Sequence, residues 1–309
     1  MTSNPQATYT VLAFYKFTKL PQELLDTHYR QALINFAQLN SIKGLIVLGS
    51  EGINATVAGP PDAISSLELF LTQLFANSGG FTFKRSSANK IPFGRFKVDI
   101  RQEIVTIGDT SISADQSLGT YLTPAEWHAA LSNDPDVVLV DTRNDYETEL
   151  GVFQGAIDPQ IKQFSDFGTY VEEHGLPRDK KLFLYCTGGI RCEKAVPEVK
   201  RLGYDNVYQL EGGILKYLEE FPNGHFKGEC FVFDHRVAVD QQLKPTQRYK
   251  LCPHCGNPSE GCLDCSLCGK KDAPVCHRCA EVEDRRSCSK NCAHHIRLRR
   301  SRAQSASRC

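Results

Sequence analysis

The chain has 309 residues, 36 Lys and Arg against 36 Asp and Glu, and 13 cysteines. That length holds two or three domains with real cores. No apolar run is long enough to span a bilayer, and the N-terminus lacks the basic and apolar regions of a secretory signal, so the sequence reads as a soluble protein of the reducing cytoplasm.

The neutral total hides an uneven distribution. Eight Lys and Arg and no acid lie between Arg285 and Cys309, leaving 28 basic and 36 acidic residues before them. A basic tail of this kind suits nucleic acid or another anionic surface. Nine cysteines crowd between Cys252 and Cys292, several in C-x-x-C pairs, which argues for metal thiolates rather than a secreted disulfide framework.

In chain order, Tyr9 to Phe17 predicts a buried strand, and Pro21 to Leu39 carries apolar residues at helical spacing. Ile42 to Leu48 and Ile53 to Ala58 predict two strands joined by Gly49 to Gly52, a hairpin signal. Pro60-Pro61 opens a second helix with Ile64, Leu67, Leu71 and Leu74 on one face, and Phe81 to Arg85 predicts a further strand. This βαββαβ order is the split arrangement of ferredoxin-like α+β domains. Lys84, Arg85, Lys90, Arg95 and Lys97 sit beside or between Phe81, Phe83, Phe93 and Phe96. Two readings stand side by side: a surface that stacks bases and holds RNA phosphates, or phenylalanines in a core below a solvated face. Glu103 to Ile107 predicts another strand, and Gly108 to Gly119 a linker.

Thr123-Pro-Ala-Glu126 is a capping box with proline at the first helical position. Val137 to Asp141 is a continuous apolar strand of the kind buried in parallel sheets. Arg143 is expected to pair with a nearby carboxylate such as Glu147. A helix is predicted near Gln163 to His174, and strands at Lys181 to Tyr185 and Asn206 to Gln209. Strands and helices alternating over this stretch predict an α/β domain with a parallel sheet.

The chemistry concentrates after the Lys181 strand. Cys186 ends it; Thr187, Gly188, Gly189 and Ile190 form a short loop; Arg191 closes the loop; a helix starts near Cys192 and stops at Gly203. Two glycines let backbone N–H groups turn inward, and the helix N-terminus adds partial positive charge. A thiol in that cradle has a lowered pKa and is nucleophilic. Cys186 is therefore the catalytic candidate, with Arg191 to steady a bound anion. Cys192 is either a second thiol able to pair with Cys186 as a disulfide or a small core residue.

Asp141-Thr-Arg143, Gly151-x-Phe-x-Gly155-Ala156, Cys186-Thr-Gly-Gly-Ile-Arg191 and Glu211-Gly-Gly213 together resemble a rhodanese domain. Cysteine-type phosphatases place the arginine one residue later, where this chain has Cys192; the shorter loop is the rhodanese size. Where many rhodaneses carry a histidine, this chain has Val152-Phe153. Ser50 to Thr56, Phe96 to Val105, the Cys186 to Lys194 segment and the cysteine-rich tail extend the match, and the chain resembles the rhodanese-related tRNA uridine hydroxylase family. That resemblance implies a ferredoxin-like (acylphosphatase-like) domain at 8–108, a linker at 109–119, a rhodanese domain at 120–224 and a Cys-rich module at 225–295. It also implies hydroxylation of uridine 34 in the tRNA anticodon loop to 5-hydroxyuridine, with dioxygen and a reductant as co-substrates and a persulfide on the Cys186 counterpart. The alternative function is sulfur transfer through a Cys186 persulfide; a non-enzymatic zinc and RNA adaptor is a third reading.

In the tail, Cys252, Cys255, Cys262, Cys265, Cys268, Cys276, Cys279, Cys288 and Cys292 have zinc-ligand spacing, enough for two four-thiolate sites with one spare. An iron–sulfur cluster or disulfides are the competing readings, and the spacing does not fix the grouping. Residues 296–309, polar and rich in Arg and Ser, are expected to be disordered.

Overall fold

The structure is a computed structural model and describes residues 8–75, 80–114 and 120–306. The chain divides into two units, residues 1–234 with 240–243, and residues 235–239 with 244–309.

The first unit opens with β1 (Tyr9–Phe17), α1 (Thr27–Leu39), β2 (Lys43–Gly49), β3 (Gly52–Gly59), α2 (Pro61–Leu74), β4 (Lys84–Ala88) and β5 (Phe96–Ile100). The sheet order is β4-β1-β3-β2-β5, antiparallel except for the β2–β5 pair. The expected βαββαβ order is present, with β5 added at the edge. Leu12, Phe14, Ile46, Leu48 and Ile53 of the sheet meet Leu33 and Ala37 of α1 and Ile64, Leu67 and Leu71 of α2 in one core. Gly52 closes the β2–β3 hairpin at φ +145°, where a Cβ would lie 2.0 Å from the Lys16 carbonyl oxygen.

Three expectations in this region need correction. The Pro21 to Leu39 helix is broken: a 3₁₀ turn at Gln22–Leu25 ends, and Asp26 starts α1 by accepting from the His28 and Tyr29 N–H groups at 2.8 and 3.1 Å. The strand placed at Phe81 to Arg85 begins at Lys84, because Phe81 and Phe83 turn onto Phe14 in the core, ring centroids 5.5 and 5.2 Å away. Glu103 to Ile107 is no strand; the Glu103 carboxylate accepts from the N–H groups of Ile107 and Gly108, both at 3.2 Å, and folds the segment on itself. Residues 115–119 of the expected linker lie outside the described residues.

The α/β part follows: β6 (Tyr121–Leu122), α3 (Pro124–Asn133), β7 (Val137–Asp141), α4 (Asp145–Thr148), β8 (Gly151–Phe153), α5 (Phe167–His174), β9 (Lys181–Tyr185), α6 (Cys192–Arg201), β10 (Val207–Leu210), α7 (Gly213–Glu220) and β11 (Phe226–Gly228). The sheet order β6-β10-β9-β7 is parallel throughout. The capping box at Thr123 forms as expected. A 3₁₀ turn, Phe164–Asp166, takes the first part of the expected Gln163 helix. The period-two alternation of β9 decides where the loop points. Leu182, Leu184 and Cys186 face the core built with Val196 and Val199 of α6. Phe183 and Tyr185 face the opposite side, against the fully buried Trp127 of α3.

The second unit holds a short antiparallel pair, Lys250–Leu251 with Pro258–Ser259, then α8 (His277–Ala280) and α9 (Lys290–Ala306). Its core is small: Ala273 and Val275 among Cys252, Cys276 and Cys279. The tail expected to be disordered from residue 296 continues α9 to Ala306. The segment has no glycine or proline and many good helix formers, and Arg297 and Arg300 pair with Asp284 and Glu283 at 2.7 and 3.0 Å. No helix among the described residues is long and apolar enough to cross a membrane.

Candidate active site and metal-ligating cysteines

β9 delivers Cys186 to the C-terminal edge of the parallel sheet, and α6 starts six residues later. Gly189, at φ +99°, donates its N–H to Cys186 Sγ at 3.0 Å. The loop rests on the α7 entrance: Ile214 and Leu215 donate to the carbonyls of Cys186 and Thr187 at 3.0 and 3.1 Å. Gly213 passes beneath so closely that a Cβ there would lie 2.5 Å from the Cys186 oxygen. The Glu211-Gly-Gly213 motif is thus the floor of the loop.

Cys186 is 1% exposed. Burial alone pushes its thiol up. The Cys192 S–H, the Arg191 charge and the N–H groups of Arg191 and Gly189 outweigh burial and bring it down to about 6. Burial and the neighbouring Cys186 sulfur hold Cys192 well above the usual thiol range, so it is the proton-bearing partner. Its sulfur lies 3.9 Å from Thr142 Oγ1.

Arg191 faces inward. Its Nη2 and Nη1 donate to Glu147 Oε2 and Oε1 at 2.7 and 3.2 Å, and Thr187 Oγ1 donates to the same carboxylate at 3.2 Å. The expected pairing of Arg143 with Glu147 is therefore corrected. Arg143 is two residues after Asp141 and folds back on it at 2.7 Å, donates to the Gly151 carbonyl at 2.6 Å, and is fully buried. Glu147 is left to Arg191 by a separation along the chain that local spacing cannot reveal.

The roof of the loop comes from the N-terminal sheet. Lys84 Nζ donates to the carbonyl oxygen of Gly188 and, at 2.8 Å, to that of Gly212. Tyr15 Oη donates to Glu193 Oε1 at 2.8 Å, and Tyr121 Oη to Glu193 Oε2 at 2.7 Å. Next along α6, Lys194 is fully buried between Glu103 at 2.5 Å and Glu51 at 2.8 Å. Burial lowers Lys84 to about 8 against the opposing pull of Cys186; burial and Glu193 raise Tyr15 far above the usual phenol range. Sequence reasoning assigned no role to Tyr15, Glu51, Glu103, Glu193 or Lys194. The signal was that four of them stand inside the motif segments that carry the family resemblance.

The basic stretch is dispersed. Lys84 leaves the surface for the loop. Arg85 pairs with Glu68, Nε to Oε1 at 2.8 Å, and Lys97 with Asp99 at 3.0 Å; Lys90 and Arg95 are exposed. Phe81, Phe83 and Phe96 pack against the N-terminal core, and Phe93 against Val11 and Ala88.

In the second unit the sulfurs of Cys252, Cys255, Cys276 and Cys279 lie within 4.8 Å of one another, and so do those of Cys265, Cys268, Cys288 and Cys292. Pairs one and three make one set, and pairs two and four the other. A tetrahedral zinc with Zn–S of ~2.3 Å needs S···S edges of about 3.8 Å. The sulfurs of Cys255 and Cys276 are 3.6 Å apart, those of Cys268 and Cys288 3.6 Å, and those of Cys288 and Cys292 3.7 Å. The donor sets fit the metal, and all described cysteines are free thiols. Cys262, counted among the ligands on spacing, lies outside both sets because two pairs already fill each one.

Residues 9–104 match the UPF0176 acylphosphatase-like domain, 124–220 the rhodanese-like domain and 227–293 the rhodanase C-terminal domain. A Bdellovibrio bacteriovorus protein named tRNA uridine(34) hydroxylase is 45% identical over 291 residues, 93% of this chain and 81% of its own. Proteins of the same name from Teredinibacter turnerae and a Picosynechococcus species are 47% and 46% identical. Each covers 81% of this chain, over 77% and 83% of their own lengths.

Proposed function

The chain belongs to the tRNA uridine(34) hydroxylase family, and on that premise we propose that it hydroxylates C5 of the wobble uridine of tRNA with Cys186 as the reacting side chain. The observation that carries the reading is similarity to hydroxylases running through all three parts of the chain, 93% of it in one relative. In the reaction C5–H becomes C5–OH. One oxygen atom of dioxygen enters the base, the other leaves as water, and a reductant supplies two electrons and two protons.

The chain's own residues prepare the sulfur. Gly189 N–H and the Arg191 charge favour its anion, and Cys192 donates to it. Glu147 holds Arg191 and Thr187 in register. The anticodon loop is a fitting substrate because its bases can be splayed out singly. Exposed Lys90 and Arg95 are suited to its phosphates. Zinc in the two cysteine sets would fold the second unit, whose apolar core is small. Reduced thiols and a tRNA substrate fit work in the cytoplasm. The test is nucleoside mass spectrometry of tRNA from a strain lacking the gene: 5-hydroxyuridine derivatives should vanish and return with the wild-type gene. Their persistence, in a host without a second route, contradicts the reading.

The rhodanese-like match at 124–220 favours a second reading, persulfide transfer from Cys186 to an acceptor thiol. It requires turnover with thiosulfate and no tRNA.

A further inference from the structure

We propose that the N-terminal domain is part of the reactive centre, with Lys84 acting as a positioning residue that aims the Gly188–Gly189 peptide at Cys186 and keeps its sulfur anionic. This rests on the reading of Cys186 as the reacting sulfur.

The peptide between Gly188 and Gly189 is trans, so its C=O and N–H point in opposite directions. Lys84 Nζ holds the C=O end; the N–H end meets Cys186 Sγ at 3.0 Å. Fixing one end fixes the other. The same ammonium takes the Gly212 carbonyl at 2.8 Å and so ties the roof of the loop to its floor. An ammonium carries three donors, and both carbonyls can be served with its charge intact. Tyr15 closes the neighbouring position: a Cβ on Gly189 would lie 2.9 Å from its hydroxyl. The two glycines of the loop therefore meet two side chains from another domain, and Gly189 is required for that space as well as for its φ of +99°.

Docking is specific as well as close. Tyr15 on Glu193, and Glu51 on Lys194, seat the N-terminal domain on the first turn of α6, the helix that begins where the loop ends. The charged and titratable groups facing Cys186 are Arg191 and Cys192 from the loop and α6, Tyr15 and Lys84 from the N-terminal sheet, and Cys230. Those facing Lys84 are Glu219 and Lys216 of α7 and Glu193 of α6. Removing one nearby cation from this set raises a thiol by about one pH unit or more.

The experiment is thiolate titration by ultraviolet absorbance in the full-length chain. The matching Cys186→Ser protein is subtracted in each background, so that the remaining cysteines cancel. The wild type should titrate near pH 6. Lys84→Met should move the midpoint up by about one pH unit or more, roughly a tenfold loss of thiolate on the acid side. Lys84→Arg should restore most of it. Lys84→Ala, which likewise removes both the charge and the donor for the carbonyls, should also titrate high, and serves if the methionine variant does not fold. A folded Lys84→Met or Lys84→Ala protein with the wild-type midpoint overturns the proposal. The titration needs neither tRNA nor turnover: an unchanged midpoint overturns the role of Lys84 and leaves the hydroxylase reading standing, whereas a raised midpoint together with an active Cys186→Ser enzyme removes Cys186 as the reacting sulfur and with it the place of the N-terminal domain in the reactive centre.

Discussion

Lys194, in the first turn of α6, and Glu51, in the β2–β3 hairpin, form an ion pair at 2.8 Å. Glu103 completes the triad at 2.5 Å. Three segments far apart in the chain meet on one ammonium, next to the loop that holds Cys186. Lys194→Met strips the partner from a Glu103 carboxylate that is 6% exposed, and an uncompensated buried charge costs about 3–5 kcal/mol. Urea unfolding should show that loss for Lys194→Met. Adding Glu103→Gln to it should recover a good part; no recovery would mean the triad is not the source.

Glu147→Gln should weaken the hold on Arg191. The guanidinium loses a bidentate charged partner in a buried site, and stability should fall by about 3 kcal/mol in thermal or urea unfolding. Hydroxylation should fall with it, because Thr187 and Arg191 share that carboxylate.

The Cys186 thiol sets a pH dependence of known sign. Its folded pKa is about 6, below the unfolded value of about 8.5. Between these values the unfolded chain binds the extra proton, so stability rises with pH through this window. The contribution is complete above about pH 8.5 and lost as pH falls through about 6. Unfolding free energies of wild type and Cys186→Ser should therefore diverge from pH 6 to pH 8.5. Parallel curves would contradict a lowered thiol. The acid limb of the hydroxylation rate should have its midpoint near pH 6.

Two zinc ions per chain are expected by elemental analysis. Cys252→Ser and Cys265→Ser should each lose one, from different sets, while Cys262→Ser keeps both. Chelation should unfold the second unit. A Cys262→Ser chain that loses metal would contradict the grouping.

Reversing Lys90 and Arg95 to glutamate should raise KM for tRNA with little change in kcat. The salt slope of binding should fall by about one for each phosphate that the variant no longer neutralises. An unchanged slope would move the RNA surface elsewhere.

The strand-loop-helix around Cys186 was legible in the sequence because local rules suffice there: an apolar run, two glycines, a cation and a helix start. The zinc-like spacing was legible for the same reason, but its grouping was not, since which pairs meet depends on the path between them. Arg143 was matched to the wrong carboxylate because Glu147 belongs to a residue 44 positions away. Lys84 looked like a surface cation among phenylalanines; only the packing of the N-terminal sheet onto the loop turns it toward Gly188. Local pattern locates Cys186 and its loop, and tertiary packing supplies the groups around them.

The most direct measurement is mass spectrometry of tRNA hydrolysates after incubation of unmodified tRNA with the enzyme, dioxygen and a cell extract as the source of reductant. Wild-type protein should add 5-hydroxyuridine at position 34, and Cys186→Ser should add none. Equal product from the Cys186→Ser protein would contradict the account.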